Sequence, residues 1–205
     1  MGTKINLHHG DLPAGMRFPD GVAIDTETLG LKPHRDRLCL VQLSAGDGTA
    51  HLVQFDGRSY EAPHLKRLLA DPDTIKIFHY ARFDVAVLSR YLGVVTKPLF
   101  CTKIASKLVR TYTDRHGLKD LVAELLGVEL SKHQQSSDWA AASLSDAQKS
   151  YAASDVLHLH ALRSRLDAML KREGRTALAA ACFDFLPNRA AMDLAGFEDM
   201  DIFSH

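Results

Sequence analysis

Two carboxylates are spaced for shared chemistry near the start of the chain. Asp25 and Glu27 follow the apolar run GVAI and are separated by a single residue. Along a β-strand, side chains two residues apart point to the same face of the sheet. Neighbouring negative charges repel, and a hard divalent cation such as Mg²⁺ or Mn²⁺ would relieve that repulsion. The spacing alone is equally typical of a strand end that frays into an acidic, solvated loop.

A tyrosine and two further aspartates could join this pair. The stretch YAASDVLHLHAL has helical spacing, so that Tyr151 and Asp155, four residues apart, share one face of a predicted helix. Asp84 stands near the start of another predicted helix, where the helix dipole alone favours an acid. Taken singly, Tyr151 could be half-buried against the core with Asp155 exposed, and Asp84 could be an ordinary helix-start acid.

Together, the four acids and the phenol predict a defined chemistry. An α/β sheet places its binding crevice at the ends of its elements, so that the acids could surround two cations. Two metal ions about 3.5–4 Å apart can bind both the attacking and the leaving oxygen of a phosphodiester during in-line displacement. A nearby phenol would hold the attacking water in line or, if its pKa were lowered, accept the proton of that water. The residues are Asp25, Glu27, Asp84, Tyr151 and Asp155.

The elements that must position these residues follow from hydrophobic periodicity and turn residues. Strands are predicted at 21–25, 38–44, 50–55 and 75–78, and the second and third form a hairpin across the GDG turn. Helices are predicted at 61–70, 84–91, 102–110, 118–126 and 146–171. His8 and His9 are expected in a solvated terminus. The order of elements predicts an α/β domain with a mixed central sheet, part antiparallel and part parallel, flanked by helices.

Composition limits the class of protein. A chain of 205 residues with 46% apolar content can bury one sizeable core, and no apolar run approaches the roughly 20 residues of a bilayer crossing. Three scattered cysteines without a CxxC pair indicate free thiols and a cytoplasmic protein. The 25 basic and 25 acidic side chains cancel, which argues against wrapping long duplex but not against local binding of a few nucleotides.

Three motifs carry a resemblance to the DEDD exonucleases of the RNase D type, within the RNase H-like fold superfamily. They are VAIDTETLGL, IFHYARFDVAVL and YAASDVLHL, in family order. The tyrosine four residues before the last aspartate is typical of the tyrosine subgroup, and CTKIASKLVR and DWAAASLSDAQKS also resemble RNase D. The resemblance covers residues 22–162 and continues weakly through FLPNRAAMDLAGF.

This resemblance implies a 3′–5′ exonuclease that uses two divalent ions, Mg²⁺ or Mn²⁺. It implies that Asp25, Glu27 and Asp155 bind the metal that carries the nucleophile. Asp25 would bridge to the second metal with a contribution from Asp84, and Tyr151 would orient the nucleophile.

The number of residues after the third motif narrows the resemblance. RNase D usually carries helical accessory domains after its nuclease, whereas 50 residues follow Asp155 here. The chain is therefore most similar to the nanoRNase C (NrnC) group, short bacterial relatives that degrade very short RNA down to dinucleotides. That likeness implies short single-stranded RNA as substrate, with DNA left open, nucleoside 5′-monophosphates as products, and a bacterial cytoplasmic homo-oligomer, an octameric ring. RNase D-type trimming of tRNA 3′ ends and a non-catalytic nucleic-acid-binding module are the alternatives.

We expect a single exonuclease domain over residues 1–205. Its core would span about 20–172, and a helical C-terminal segment at about 175–205 would serve packing or oligomerisation. Because that segment is too apolar for a free tail, it must pack on its own domain, on a neighbouring subunit, or on both.

Candidate substrate contacts lie beside the first two motifs. Leu29 and Leu31 could wedge against a terminal base, although they would equally suit core packing. A base or a terminal hydroxyl could rest on His79 or Tyr80, because single-stranded bases stack on aromatic rings.

A second set of candidate contacts is basic. Lys103, Lys107 and Arg110 share a face of the predicted helix at 102–110 and could attract a phosphate backbone. Such a run is more often a solvated helix face. A loop with Arg35 and Arg37 is the alternative source of phosphate contacts.

Overall fold

The computed structural model describes residues 3–130 and 137–205. Its centre is a six-stranded mixed sheet with the order β1-β4-β3-β2-β5-β6. The strands are β1 (Lys4–His9), β2 (Val22–Thr28), β3 (Leu38–Ser44), β4 (Thr49–Gln54), β5 (Lys76–Phe78) and β6 (Leu99–Cys101).

Seven helices flank the sheet in the described part of the chain. They are α1 (Pro63–Ala70), α2 (Ala81–Leu92), α3 (Thr102–Val109), α4 (Leu118–Leu126), α5 (Asp146–Leu157), α6 (Leu159–Arg172) and α7 (Thr176–Leu194). None of the helices at 3–130 and 137–205 is long and apolar enough to span a bilayer.

The sheet has an antiparallel half and a parallel half that meet at β2. β3 pairs antiparallel with both β2 and β4, whereas β2, β5 and β6 run parallel to one another. β1 adds to the outer edge of β4 in parallel. The predicted α/β class, with a mixed sheet and a β3–β4 hairpin, is therefore confirmed.

Helices cover both faces of this sheet. α5 packs on β2, β3 and β4, while α6 packs on α3 and α4. α7 packs on α2 and β6, so its apolar residues enter the main core. A smaller apolar cluster lies between α5 and the β3–β4 hairpin and includes Leu40, Leu52 and Trp139.

Several predicted boundaries were wrong. β2 continues three residues beyond the predicted end at Asp25, because Thr26 to Thr28 keep pairing with β3. The predicted helix at 146–171 is two helices separated at His158, because α5 packs on the sheet whereas α6 turns onto α3 and α4. His8 is not in a solvated terminus but lies in β1, where its Nε2 is 3.1 Å from Nδ1 of His51.

Candidate active site

β2 presents the first two acids inside the sheet rather than beyond its end. Asp25 lies opposite Gln42 and Glu27 opposite Leu40 in the antiparallel pairing with β3. Side chains alternate along a strand, so both carboxylates emerge on one face. The fraying loop that their spacing alone would allow is therefore ruled out, and the pairing becomes irregular only between Glu27 and Thr28.

α5 brings the last motif onto that same face. Its start is fixed by a capping box, in which Ser145 accepts from the backbone N–H of Gln148 and Gln148 accepts from that of Ser145. One oxygen each of Asp25, Glu27 and Asp155 then lies within 4.8 Å of the other two. Residues 130 positions apart in the sequence thus form one carboxylate cluster.

Asp84 stands slightly apart from this cluster. It lies in the first turn of α2, is 3% exposed, and accepts a hydrogen bond of 2.7 Å from Thr26 Oγ1. It is not one of the three residues whose oxygens meet, and it does not line the cavity in front of them. Its charge nevertheless contributes, after burial and the charges of Asp25 and Asp155, to the raised pKa of Glu27, and its own pKa is raised by burial and then by the charge of Asp25.

The electrostatics of the cluster are those of crowded, desolvated acids. Burial raises the pKa of Asp25 to about 7. Burial and then the charges of Asp25, Asp155 and Asp84 raise the pKa of Glu27 to about 10. The pKa values of Asp84 and Asp155 also lie well above the ordinary range, first through burial and then through the charge of Asp25. Such a group of acids favours protons or a cation.

Tyr151 lies beside the acids on α5. Burial, and then the charges of Asp155, Glu27 and Asp25, raise the pKa of its phenol. Its ring contacts the buried ring of Trp139, with the two centroids 6.1 Å apart. The phenol therefore keeps its proton, and its ring is packed against Trp139.

A cavity of about 710 Å³ opens in front of the cluster. It is lined by Asp25, Glu27, Tyr151 and Asp155, and also by the substrate candidates Leu29, Leu31, His79, Tyr80 and Lys103. Leu29 is 51% exposed and Leu31 is 86% exposed, so ordinary core packing does not explain either.

The wall formed by His79 and Tyr80 has unusual geometry. Tyr80 takes a left-handed conformation with φ of 66°, which is strained for a residue with a side chain, and Lys103 Nζ lies 4.2 Å from the centre of its ring. His79 Nδ1 is 2.9 Å from the Thr102 hydroxyl, which itself donates to the Phe78 carbonyl. His79 therefore carries its proton on Nδ1, which leaves Nε2 as an acceptor. Burial lowers the pKa of this ring to about 3, so it is neutral near pH 7.

The predicted basic face is not formed. Arg110 is fully buried, where its guanidinium bonds to Glu124, to the Ser106 hydroxyl and to the Arg115 carbonyl. Its assignment to substrate is therefore wrong, because the side chain fixes the turn after α3. Lys107 is exposed but does not line the cavity, and of the three predicted residues Lys103 alone does.

The alternative basic loop also lies away from the cavity. Arg35 pairs with the carboxylate of its neighbour Asp36 at 2.6 Å, and Arg37 donates to the Phe55 carbonyl. Neither arginine lines the cavity.

Thr26 and Gln42 also contact the acids, although the sequence motifs did not predict it. Thr26 holds Asp84, and Gln42 donates from Nε2 to Asp25 Oδ2 at 3.2 Å. The signal for Gln42 is visible in the sequence, since it is a polar residue within the buried run LCLVQLS. Thr26 gives no such signal, because threonine is ordinary in a strand.

Known exonucleases match this chain in sequence. The model of the 3′–5′ exonuclease family DNA_pol_A_exo1 matches residues 14–171. Ribonuclease D of Gluconacetobacter diazotrophicus is 39% identical over 154 residues, which are 75% of this chain and 39% of that protein. The chain thus spans about two fifths of the length of this curated relative.

Solved structures match a larger part of this chain. Brucella melitensis NrnC bound to pGG is 57% identical, with a TM-score of 0.96 over 100% of both chains. The same protein with bound Mg²⁺ is 56% identical, with a TM-score of 0.95 over 99% of this chain and 100% of that one. Escherichia coli RNase D, an exoribonuclease involved in structured RNA processing, is 27% identical, with a TM-score of 0.74 over 84% of this chain and 45% of that one.

Proposed function

The chain belongs to the 3′–5′ exonuclease family, and from that premise we propose that it removes nucleoside 5′-monophosphates from the 3′ ends of short RNA, down to dinucleotides. Its RNase H-like fold is shared with RNase D. The observation that carries the proposal is the meeting of Asp25, Glu27 and Asp155 within 4.8 Å, beside Tyr151, in an open cavity.

The donor set fits a hard divalent cation. Carboxylate oxygens are the ligands that Mg²⁺ and Mn²⁺ prefer, and a cation would offset the burial of Asp25 and Glu27 and the repulsion that further raises the pKa of Glu27. We assign Asp25, Glu27 and Asp155 to one ion, and Asp25 with Asp84 to a second. Bound ions would supply charge neutralisation and Lewis acidity toward the phosphodiester and the attacking water. The NrnC structure with bound Mg²⁺ supports this choice of metal.

Tyr151 is proposed to orient the attacking water. Because its pKa is raised, the phenol keeps its proton and offers both a donor and a lone pair, which suits positioning better than proton abstraction. The water oxygen forms the new bond to phosphorus. The bond from phosphorus to the 3′ oxygen of the penultimate nucleotide breaks, the attacking water gives up one proton, and the leaving oxygen gains one to become a hydroxyl.

The rest of the cavity is proposed to hold the terminal nucleotides. Leu29 and Leu31 offer exposed apolar surface to a base face, and Tyr80 offers a ring for stacking. Lys103 provides a cation for a phosphate, and His79 Nε2 can accept a hydrogen bond from a ribose hydroxyl.

Short RNA is favoured over structured RNA by the whole-length comparison. NrnC bound to pGG matches this chain over the full length of both chains, whereas the match to RNase D covers 45% of that protein. A cavity of about 710 Å³ is also in the range that binds a small ligand. Because several relatives are ribonucleases D, tRNA 3′-end trimming is the second candidate function.

We also propose a cytoplasmic homo-oligomer, with the octameric ring as the expected form. Exposed apolar side chains gather at the C-terminus of the chain, which supports burial against another copy. They are Phe185, Phe197, Met200, Ile202 and Phe203.

The test measures rates on a 5′-labelled dinucleotide, a longer single-stranded RNA and a tRNA precursor, each with Mg²⁺, with Mn²⁺ and with EDTA. We expect metal-dependent release of 5′-monophosphates, fastest from the dinucleotide. A strong preference for the tRNA precursor would favour the second candidate. Binding without turnover under any metal would favour a non-catalytic module, and turnover in EDTA would refute the proposed metal site.

A further inference from the structure

Gln42 is placed to act on Asp25. It stands directly opposite Asp25 in the antiparallel pairing of β2 and β3, so the two side chains share one face of the sheet. Its Nε2 donates to Asp25 Oδ2 at 3.2 Å, and the side chain is fully buried.

The side chains around Gln42 are mostly apolar and do not account for a polar residue at this position. The other neighbour across the sheet is Leu52, and the layer between this face and α5 is built from Cys39, Leu40, Leu52 and Trp139. Gln42 Oε1 has no hydrogen-bond partner among residues 3–130 and 137–205. A buried amide with an unpaired oxygen is unfavourable compared with an apolar side chain of similar size. The hydrogen bond from Nε2 to Asp25 is the contact that accounts for a glutamine at this position.

We propose that Gln42 is a positioning residue for the metal site, an inference that rests on the proposed function. One N–H from a neutral amide fixes the rotation of the Asp25 carboxylate and leaves its remaining lone pairs free for a cation. A lysine or arginine at this position would also bond to Asp25, but its charge would oppose cation binding. Groups that orient metal ligands in this way typically change metal affinity about 10–100-fold when they are removed.

The test replaces the amide while keeping the shape of the side chain. Gln42→Met preserves length and volume, and Gln42→Asn keeps the amide but is one methylene too short to span the 3.2 Å contact. Calorimetric titration with Mn²⁺ alone should give a dissociation constant about 10–100-fold higher for both variants than for the wild type. At saturating Mn²⁺ with the dinucleotide, kcat should fall while KM stays near the wild-type value, because the cavity walls are unchanged.

Gln54→Met is the matched control. Gln54 is a buried glutamine on the neighbouring strand whose Nε2 donates to the Ala141 carbonyl, away from the carboxylates. It should lose stability without a change in Mn²⁺ affinity.

The outcomes separate this inference from the proposed function. If the wild type bound Mn²⁺ and both Gln42 variants bound it equally well, Gln42 would be structural and the inference would fail. If Gln42→Met did not fold, Gln42→Asn would decide. If the wild type itself did not bind Mn²⁺, the proposed function would fail first.

Discussion

At the scale of single residues, the site is a balance between crowded negative charge and the cation that would offset it. Asp25 contributes most to this crowding, because its charge raises the pKa of Glu27, Asp84 and Asp155. Removing that charge should therefore relieve repulsion in the metal-free protein while it destroys the metal site.

Asp25→Asn tests this balance, since it keeps the shape of the side chain and removes its charge. We expect turnover of the dinucleotide to fall at least about 100-fold, because metal-ion catalysis is worth several kcal/mol. The metal-free variant should melt at the same temperature as the wild type or higher. A variant that unfolds would contradict the view that these acids repel one another in the folded state.

The pH dependence of stability follows from Glu27. In the unfolded chain this carboxyl loses its proton near its ordinary value of 4.5, whereas the folded protein holds the proton up to about 10. Between those values unfolding releases a proton, so the free energy of unfolding falls as pH rises, by up to about 1.4 kcal/mol per pH unit. In EDTA, the melting temperature should therefore fall from about pH 5 to about pH 8.

Glu27→Gln is the control for this pH effect. Its melting temperature in EDTA should depend less on pH than that of the wild type, and Mg²⁺ or Mn²⁺ should restore stability to the wild type at the higher pH. Identical profiles for the two proteins would show that Glu27 is not the titrating group.

Tyr151→Phe isolates the hydroxyl from the ring. The ring should still pack against Trp139, and the three carboxylates stay in place, so Mn²⁺ affinity measured by calorimetry should change little. Turnover should fall by about 10²–10⁴, the range for loss of a positioned proton-transfer or water-orienting group. Unchanged turnover would remove the water-positioning role.

At the scale of elements, the hydrophobic periodicity of the sequence correctly predicts several strands and helices. The spans 38–44 and 118–126 match β3 and α4, because strict apolar runs and a C-terminal glycine mark their ends. β6 was not predicted because three residues are too few to show a periodic pattern of apolar side chains. β1 was not predicted because it is held by pairing with β4, which is distant in the sequence. The motif order predicted that Asp25, Glu27 and Asp155 would meet, but not that Thr26 would hold Asp84 or that Gln42 would face Asp25. Those contacts depend on the register between strands and helices, which a single sequence does not encode locally.

The turn after α3 depends on the buried side chain of Arg110. Arg110 fixes residues 110–117 through Glu124, Ser106 and the Arg115 carbonyl, and Gly117 at the end of this turn lines the cavity. Arg110→Met should cost about 1–3 kcal/mol through lost buried hydrogen bonds. This corresponds to a fall of several degrees in melting temperature, measured by calorimetry.

Lys107→Met is the control on the same helix, since Lys107 is exposed and outside the cavity. It should leave both the melting temperature and KM unchanged. A rise in KM for both variants without loss of stability would restore the basic stripe as a substrate contact.

At the scale of the whole molecule, α7 ties the C-terminal part of the chain to the site. Arg82, two residues before Asp84, binds both carboxylate oxygens of Asp193 on α7 at 2.6 and 2.7 Å and also donates to the Glu198 carbonyl. Lys32, in the loop that follows Leu31, reaches Glu198 at 3.3 Å. The segment after α7 is thus fixed to the rim of the cavity, while Ile202 and Phe203 beyond it remain 48% and 68% exposed.

These exposed side chains give the last prediction, which concerns assembly. Apolar surface at the end of a well-anchored segment is best explained by burial against another copy of the chain. Light scattering should therefore give the wild type a mass several times the 22.6 kDa of one chain, eightfold for the proposed ring. The double variant Ile202→Ser, Phe203→Ser should shift to smaller species, whereas Leu178→Ser, which alters an exposed apolar residue near the start of α7, should not.

A wild-type mass of 22.6 kDa would rule out the oligomer. A smaller assembly of the double variant with unchanged dinucleotide turnover would show that each subunit holds a complete site.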